Sequence, residues 1–160
     1  MAVFSQREMI LQRREWKRNG KRVVCAVGVF DLLHPGHVRL VEQARAFGDI
    51  LVVGIQSDAR ARERKGPSRP VTPAAERAET VAALAAVDFA VVLGDEQAEH
   101  EFIAQLAPDV VVQGRAASSS KNAAAEDVAA QASGAKVIQI PPEPGHSTSR
   151  LIDRIKQLRA

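Results

Sequence analysis

Five short runs rich in Val and Ile carry no alternation of apolar with polar residues: Val23 to Val27, Ile50 to Ile55, Phe89 to Leu93, Val110 to Val112 and Val137 to Ile140. A strand with one wet face alternates. A run that is apolar throughout is buried on both faces, as in a parallel sheet covered by helices on each side. Helical stretches separate these runs. Thr72-Pro73 offers an N-cap and first-turn pair for an Ala-rich helix reaching about Val87, and Glu99 to Leu106 and Ala123 to Ala132 give two more. Ser147 or Thr148 caps a last helix ending near Leu158. Strands and helices in alternation, joined by right-handed crossovers, predict an α/β fold: a Rossmann-like, doubly wound, five-stranded parallel sheet with helices on both faces.

A chain of 160 residues suffices for one sizeable core and would be cramped as two domains. Residues 1–20 read as a basic N-terminal extension, with Ser5 to Arg18 a helix outside the sheet lying on the domain, preferred over a membrane- or partner-binding helix. No apolar run approaches the roughly 20 residues of a membrane span, and Met1 to Gly20 lacks a signal-peptide core, so a cytoplasmic protein without membrane contact is expected. The single cysteine, Cys25, falls inside a predicted strand, where a buried apolar role is expected. Net charge is +3 and the pI about 9.4, but acidic and basic residues are interspersed along the chain. Aromatic content is 4 % with no Tyr, which leaves no stacking platform for single strands. Nucleic acid is therefore not the expected partner. The basic excess suits a phosphorylated small molecule equally well.

In a doubly wound sheet, ligands sit beyond the carboxyl ends of the strands. That gives weight to Gly28 to His37, Gln56 to Lys65, Gln113 to Lys121 and Pro141 to Thr148. The first of these holds His34-Pro35-Gly36-His37 directly behind Gly28-Val29-Phe30-Asp31. Pro35 suits a first helical position, and Leu40, Val41, Ala44 and Phe47 recur at helical spacing, so a helix from about Pro35 to Phe47 is predicted. Its N-terminus presents unpaired N–H groups and partial positive charge, which favour anions. His34 and His37, three apart, share one face, and Gly36 between them lets a ligand approach the backbone. Both rings can reach one phosphate. Metal ligation finds little support, because only His100 and His146 remain elsewhere and no Cys cluster exists. Structural histidines satisfying helix-end groups are the bland alternative. Signatures of a dinucleotide oxidoreductase, a P-loop NTPase and an α/β hydrolase are all missing.

The stretch G-V-F-D-L-L-H-P-G-H resembles the signature of the nucleotidyltransferase superfamily that contains cytidylyltransferases, pantetheine-phosphate adenylyltransferases and class I aminoacyl-tRNA synthetases. The likeness continues through Ser57-Asp58, Lys65-Gly66, Arg69-Pro70-Val71, Glu76-Arg77 and Gly145-His146-Ser147-Thr148, covering nearly all of residues 21–160, the nucleotidyltransferase domain. Within the superfamily the chain is most similar to D-glycero-β-D-manno-heptose 1-phosphate adenylyltransferases, the ADP-heptose synthase domains of lipopolysaccharide core assembly. The resemblance implies transfer of AMP from ATP to a sugar 1-phosphate, with pyrophosphate released and Mg²⁺ held mainly by the triphosphate. It implies catalytic roles for His34, His37 and Lys65. Nucleotide contacts would come from Gly28, Val29, Phe30, Asp31, His34, Gly36, His37, Arg77, Gly114, Ser147 and Thr148, and acceptor contacts from Asp31, Lys65 and Arg115. No protein-held metal is implied, and a homodimer is plausible. For Arg77 an ion pair with Glu76 or Glu79 competes with the phosphate role, and for Ser147 and Thr148 simple N-capping is compatible with it.

The chain departs from the heptose family after the fourth run. Where relatives carry a K-G-G-D-Y-like segment it has Gln113-Gly114-Arg115-Ala116-Ala117, which loses an acid and an aromatic and reverses the local charge. His146 replaces a small or apolar residue, and Val29 often a Cys. Two other readings therefore stand beside the first: a CTP-dependent cytidylyltransferase for a polyol or alcohol phosphate, and a non-catalytic nucleotide-binding regulatory domain.

Overall fold

The computed structural model describes residues 2–95, 99–114 and 123–158. In chain order the elements are β1 (Ala2–Phe4), α1 (Gln6–Arg18), β2 (Val23–Gly28), α2 (Pro35–Arg45), β3 (Ile50–Ile55), α3 (Asp58–Lys65) and α4 (Ala74–Ala82). They continue with β4 (Phe89–Val92), α5 (Glu99–Leu106), β5 (Val110–Gly114), α6 (Ala123–Ala132), β6 (Lys136–Ile140) and α7 (Thr148–Gln157). The sheet is six-stranded in the order β1-β4-β3-β2-β5-β6, and every pair is parallel. All five expected strands are present. The sixth, β1, corrects the expected strand number from five to six and lies just ahead of the helix expected over Ser5 to Arg18.

β1 escapes a pattern search because three residues carry no period, and as an edge strand it leaves Val3 46 % exposed. It pairs with β4 in the register Ala2↔Phe89. The expected helix follows, capped by Ser5 in a capping box with Glu8. It is docked rather than merely solvated, since Met9, Arg13 and Trp16 are buried. Arg13 donates to the Ala107 carbonyl and to Asp109 Oδ2, which also accepts from the Val23 N–H at 2.7 Å.

The two faces of the sheet carry separate cores. Val24, Ala26, Leu51, Val53 and Ile55 pack against Val41 and Ala44 of α2 and Ala78 and Val81 of α4. On the other face Val23, Cys25 and Val52 meet Met9 and Trp16 of α1, Phe102 and Ile103 of α5 and Ala130 of α6. Odd and even positions of β3 thus serve opposite cores, the two-sided burial that its lack of alternation implies. Neighbours are added to one side of β2 (β3, then β4) and afterwards to the other (β5, then β6), so the strand order reverses between β2 and β5. In open parallel sheets ligands bind at such a reversal, beyond the carboxyl ends of the strands.

Two further corrections concern that edge. Within Gln56 to Lys65 the chain forms a helix that the sequence did not predict, α3, whose charged sequence buries only Ala61 and so shows little amphipathic period. Thr72 is not an N-cap: α4 starts at Ala74 behind Pro73 and ends at Ala82, short of the expected Val87.

Candidate active site

The turn from Gly28 to His34 is held in an unusual shape by one buried carboxylate. Asp31, 1 % exposed, accepts from Arg69 Nε at 2.6 Å, from the Val71 and Thr72 N–H groups at 3.0 and 3.2 Å, and from Thr72 Oγ1 at 3.1 Å. Burial alone would raise its pKa, but the bonds from Val71, Arg69 and Thr72 outweigh it and leave the carboxyl below its ordinary value. The residues on either side, Phe30 (φ 52°) and Leu32 (φ 53°), adopt left-handed conformations that a side chain ordinarily resists. Gly28 makes room for this: a Cβ there would lie 2.8 Å from the Phe30 ring, which folds back over it.

The turn delivers His34 as the N-cap of α2. Its Nδ1 accepts from the Gly36 N–H at 3.1 Å. A neutral imidazole whose Nδ1 accepts carries its proton on Nε2, so His34 is committed as an Nε2–H donor. Gly36 serves this cap, because a Cβ at position 36 would sit 2.9 Å from the His34 ring. One helical turn on, the His37 ring stacks on His34 with centres 3.8 Å apart and planes 26° apart, and it lies 5.4 Å from Phe30. His37 Nδ1 is buried without a hydrogen-bond partner. Burial, then the charge of His34, opposed by Asp31 and joined by Lys65, pushes the His37 pKa down to about 4. Burial and His146 lower that of His34. Both rings are therefore neutral near pH 7, and an approaching anion would draw protons to them.

The N-terminus of α7 closes the other side. Ser147 caps it by accepting from the Arg150 N–H, and Thr148 Oγ1 donates to the Asp31 carbonyl at 2.7 Å. The 141–147 segment is tied to α2 by an ion pair between Glu143 and Arg39. Two helix N-termini and a row of imidazoles thus converge on one spot at the carboxyl edge of the sheet, an arrangement suited to a polyphosphate.

The sequence matches the cytidylyltransferase-like family over residues 25–154. The chain belongs to this family. Among curated relatives it is 46 % identical over 152 residues to the bifunctional protein HldE of Koribacter versatilis, covering 95 % of this chain and 31 % of that one. HldE of Rhodopseudomonas palustris is 40 % identical over 155 residues, covering 97 % and 31 %. The chain spans about a third of the length of these relatives. Among solved structures, a lipopolysaccharide core biosynthesis protein from Thermoplasma volcanium superposes with a TM-score of 0.62 at 26 % identity, covering 78 % of this chain and 98 % of that one. A pantoate-β-alanine ligase from Francisella tularensis gives the same TM-score at 11 % identity over all of this chain and 80 % of its own, a likeness of fold alone.

Most of the residues expected in this cytidylyltransferase-like site lie together, but several have structural work. Asp31, expected at nucleotide and acceptor, has its carboxylate consumed by Arg69, Val71 and Thr72, so it positions the turn. Arg77, expected at the nucleotide phosphates or paired with Glu76 or Glu79, has Asp58 rather than either glutamate as its ion-pair partner. Only 2 % exposed, it donates to the Thr72 and Val29 carbonyls and pairs with Asp58 Oδ1 at 2.7 Å, joining α3 and α4 to the β2 turn. Lys65 is exposed at the end of α3, close enough for its charge to act on His37. Gly114 ends β5, where a Cβ would meet nothing within 4 Å. Arg115 lies outside the described residues. Gln56, just beyond β3, opens the stretch Gln56 to Lys65 that the sequence singled out, but no individual role was expected of it. It is 1 % exposed, and neither atom of its amide has a partner. Its place after a strand was the available signal; its burial was not.

Proposed function

We propose that the chain transfers AMP from ATP to a sugar 1-phosphate, with heptose 1-phosphate the favoured acceptor. The observation that carries this reading is the stacked pair His34 and His37 at the N-terminus of α2, with the Nε2–H of His34 committed as a donor. A phosphate oxygen of the acceptor attacks the α-phosphorus, a new P–O bond forms, and the bond from the α-phosphorus to the oxygen bridging to the β-phosphate breaks, releasing pyrophosphate. The acceptor is already an anion, so no general base is needed, and the protein aligns the reactants and stabilises developing charge. His34 and His37 donate to the α-phosphate, Lys65 adds positive charge from α3, and the α7 terminus takes the distal phosphates. Among the described residues no group of three or more His, Cys, Asp or Glu can hold a metal, and the Asp31 oxygens are already bonded. A Mg²⁺ ion would therefore arrive on the triphosphate. The similarity to the bifunctional protein HldE and to a lipopolysaccharide core biosynthesis protein supports a role in lipopolysaccharide core assembly.

The test is pyrophosphate release from ATP and Mg²⁺ with heptose 1-phosphate and a panel of sugar and polyol phosphates, repeated with CTP. Replacing His34 or His37 by Ala should cost about a hundred- to a thousandfold in kcat. Silence across the whole panel with both nucleotides refutes the reading, and turnover with CTP alone moves the donor nucleotide from ATP to CTP.

A further inference from the structure

The row of imidazoles extends beyond the pair. The His146 ring lies nearly parallel to His34, with centres 6.4 Å and planes 19° apart. His37 and His34 are both half-buried, His37 the more enclosed of the two, and His146 is exposed, so the row leads outward to solvent. His146 is not a loose surface residue. Its N–H donates to the Glu143 carbonyl, Glu143 is paired with Arg39 of α2, and the adjoining α7 terminus is fastened to Asp31 by Thr148.

The spacing is informative. His34 and His37 are in contact at 3.8 Å, whereas at 6.4 Å the His34 and His146 rings leave a gap beside which one polyphosphate can lie. The charged surroundings favour an anion in that gap. The charge of Lys65 at the end of α3 acts on His37, and Arg150 Nη1 lies 3.8 Å from where a Cβ of Gly145 would be. The nearby acids are engaged, Glu143 with Arg39 and Asp31 with Arg69.

We propose that His146 is a third phosphate-contacting imidazole, which holds the distal part of the triphosphate that departs as pyrophosphate. The inference rests on the transfer reading for the identity of the nucleotide. The order of the row fits that chemistry, since the attacked phosphorus is sheltered by the more enclosed His37 ring and the leaving group lies at the solvent end.

Calorimetry on the full chain with AMP, inorganic pyrophosphate and ATP, comparing wild type with H146A, tests it without turnover. The expected result is a weakening of about tenfold for pyrophosphate and ATP with AMP unchanged. Unchanged pyrophosphate affinity in H146A overturns the proposal. So does equal weakening of AMP and pyrophosphate, which would mean that His146 only steadies α7, and so does a wild-type chain that binds no pyrophosphate. If the selective loss appears but no acceptor yields pyrophosphate, the transfer reading fails and the assignment of His146 stands.

Discussion

Protonating His37 should destabilise the protein by an amount that follows from its burial. The ring ordinarily titrates at 6.5 and is pushed down to about 4 in the folded chain, burial being the largest cause. Between those values the unfolded chain binds the proton that the folded one refuses. The stability gained by keeping the ring neutral is therefore fully present above pH 6.5 and is lost as pH falls toward 4. Between pH 8 and pH 5 the loss works out at about 2 kcal/mol. The Asp31 carboxyl, whose pKa is lowered from 3.8, titrates below this window and does not blur it. His34 shifts in the same direction as His37 but is common to both chains in a comparison with H37Q. Urea unfolding of wild type and H37Q at intervals from pH 8 to pH 5 should show the wild type losing about 2 kcal/mol more than the variant. Parallel curves would refute the reasoning, because they would mean that the ring is hydrated enough to titrate normally in the folded state.

Two other perturbations test the scaffold around the imidazoles. Asp31→Ala leaves the Arg69 guanidinium buried and unpaired and the Val71 and Thr72 N–H groups without acceptors, so unfolding should become easier by about 3–5 kcal/mol in a denaturant titration. Gln56→Leu removes an amide with no partner on either atom while keeping its bulk, so the ligand-free protein should gain about 1 kcal/mol and melt a few degrees higher by calorimetry. A lower melting temperature would show that the Gln56 amide is satisfied.

The sheet was legible because Val23 to Val27 and its counterparts are apolar at every position, and only burial on both faces makes that stable. β1 was not legible, since its place is set by pairing with a strand 87 positions away rather than by any local pattern. At the site, the His34 cap and the α2 boundary could be read from Pro35 and the spacing of the two rings. The real duties of Asp31 and Arg77 could not. Each is a charged residue in a promising motif, and only the fold reveals that its partners are Arg69, Thr72, Val29 and Asp58. Sequence proximity likewise offered Glu76 and Glu79 as partners for Arg77, whereas the pairing crosses from α4 to α3.

The pairing of Ala2 with Phe89 also sets a timetable. A chain emerging from the ribosome at about 5–20 residues per second makes its first strand wait roughly 4–17 s for β4 to be synthesised. During that interval Phe4 and Trp16 lack Phe89, whose ring they later meet at 5.0 and 4.9 Å, and Met9 lacks its core. β1 and α1 thus find their place later than β2 and β3, whose paired residues lie only 27 positions apart, and nascent chains stalled before residue 89 should leave the Met9 and Trp16 face of α1 open to a chaperone.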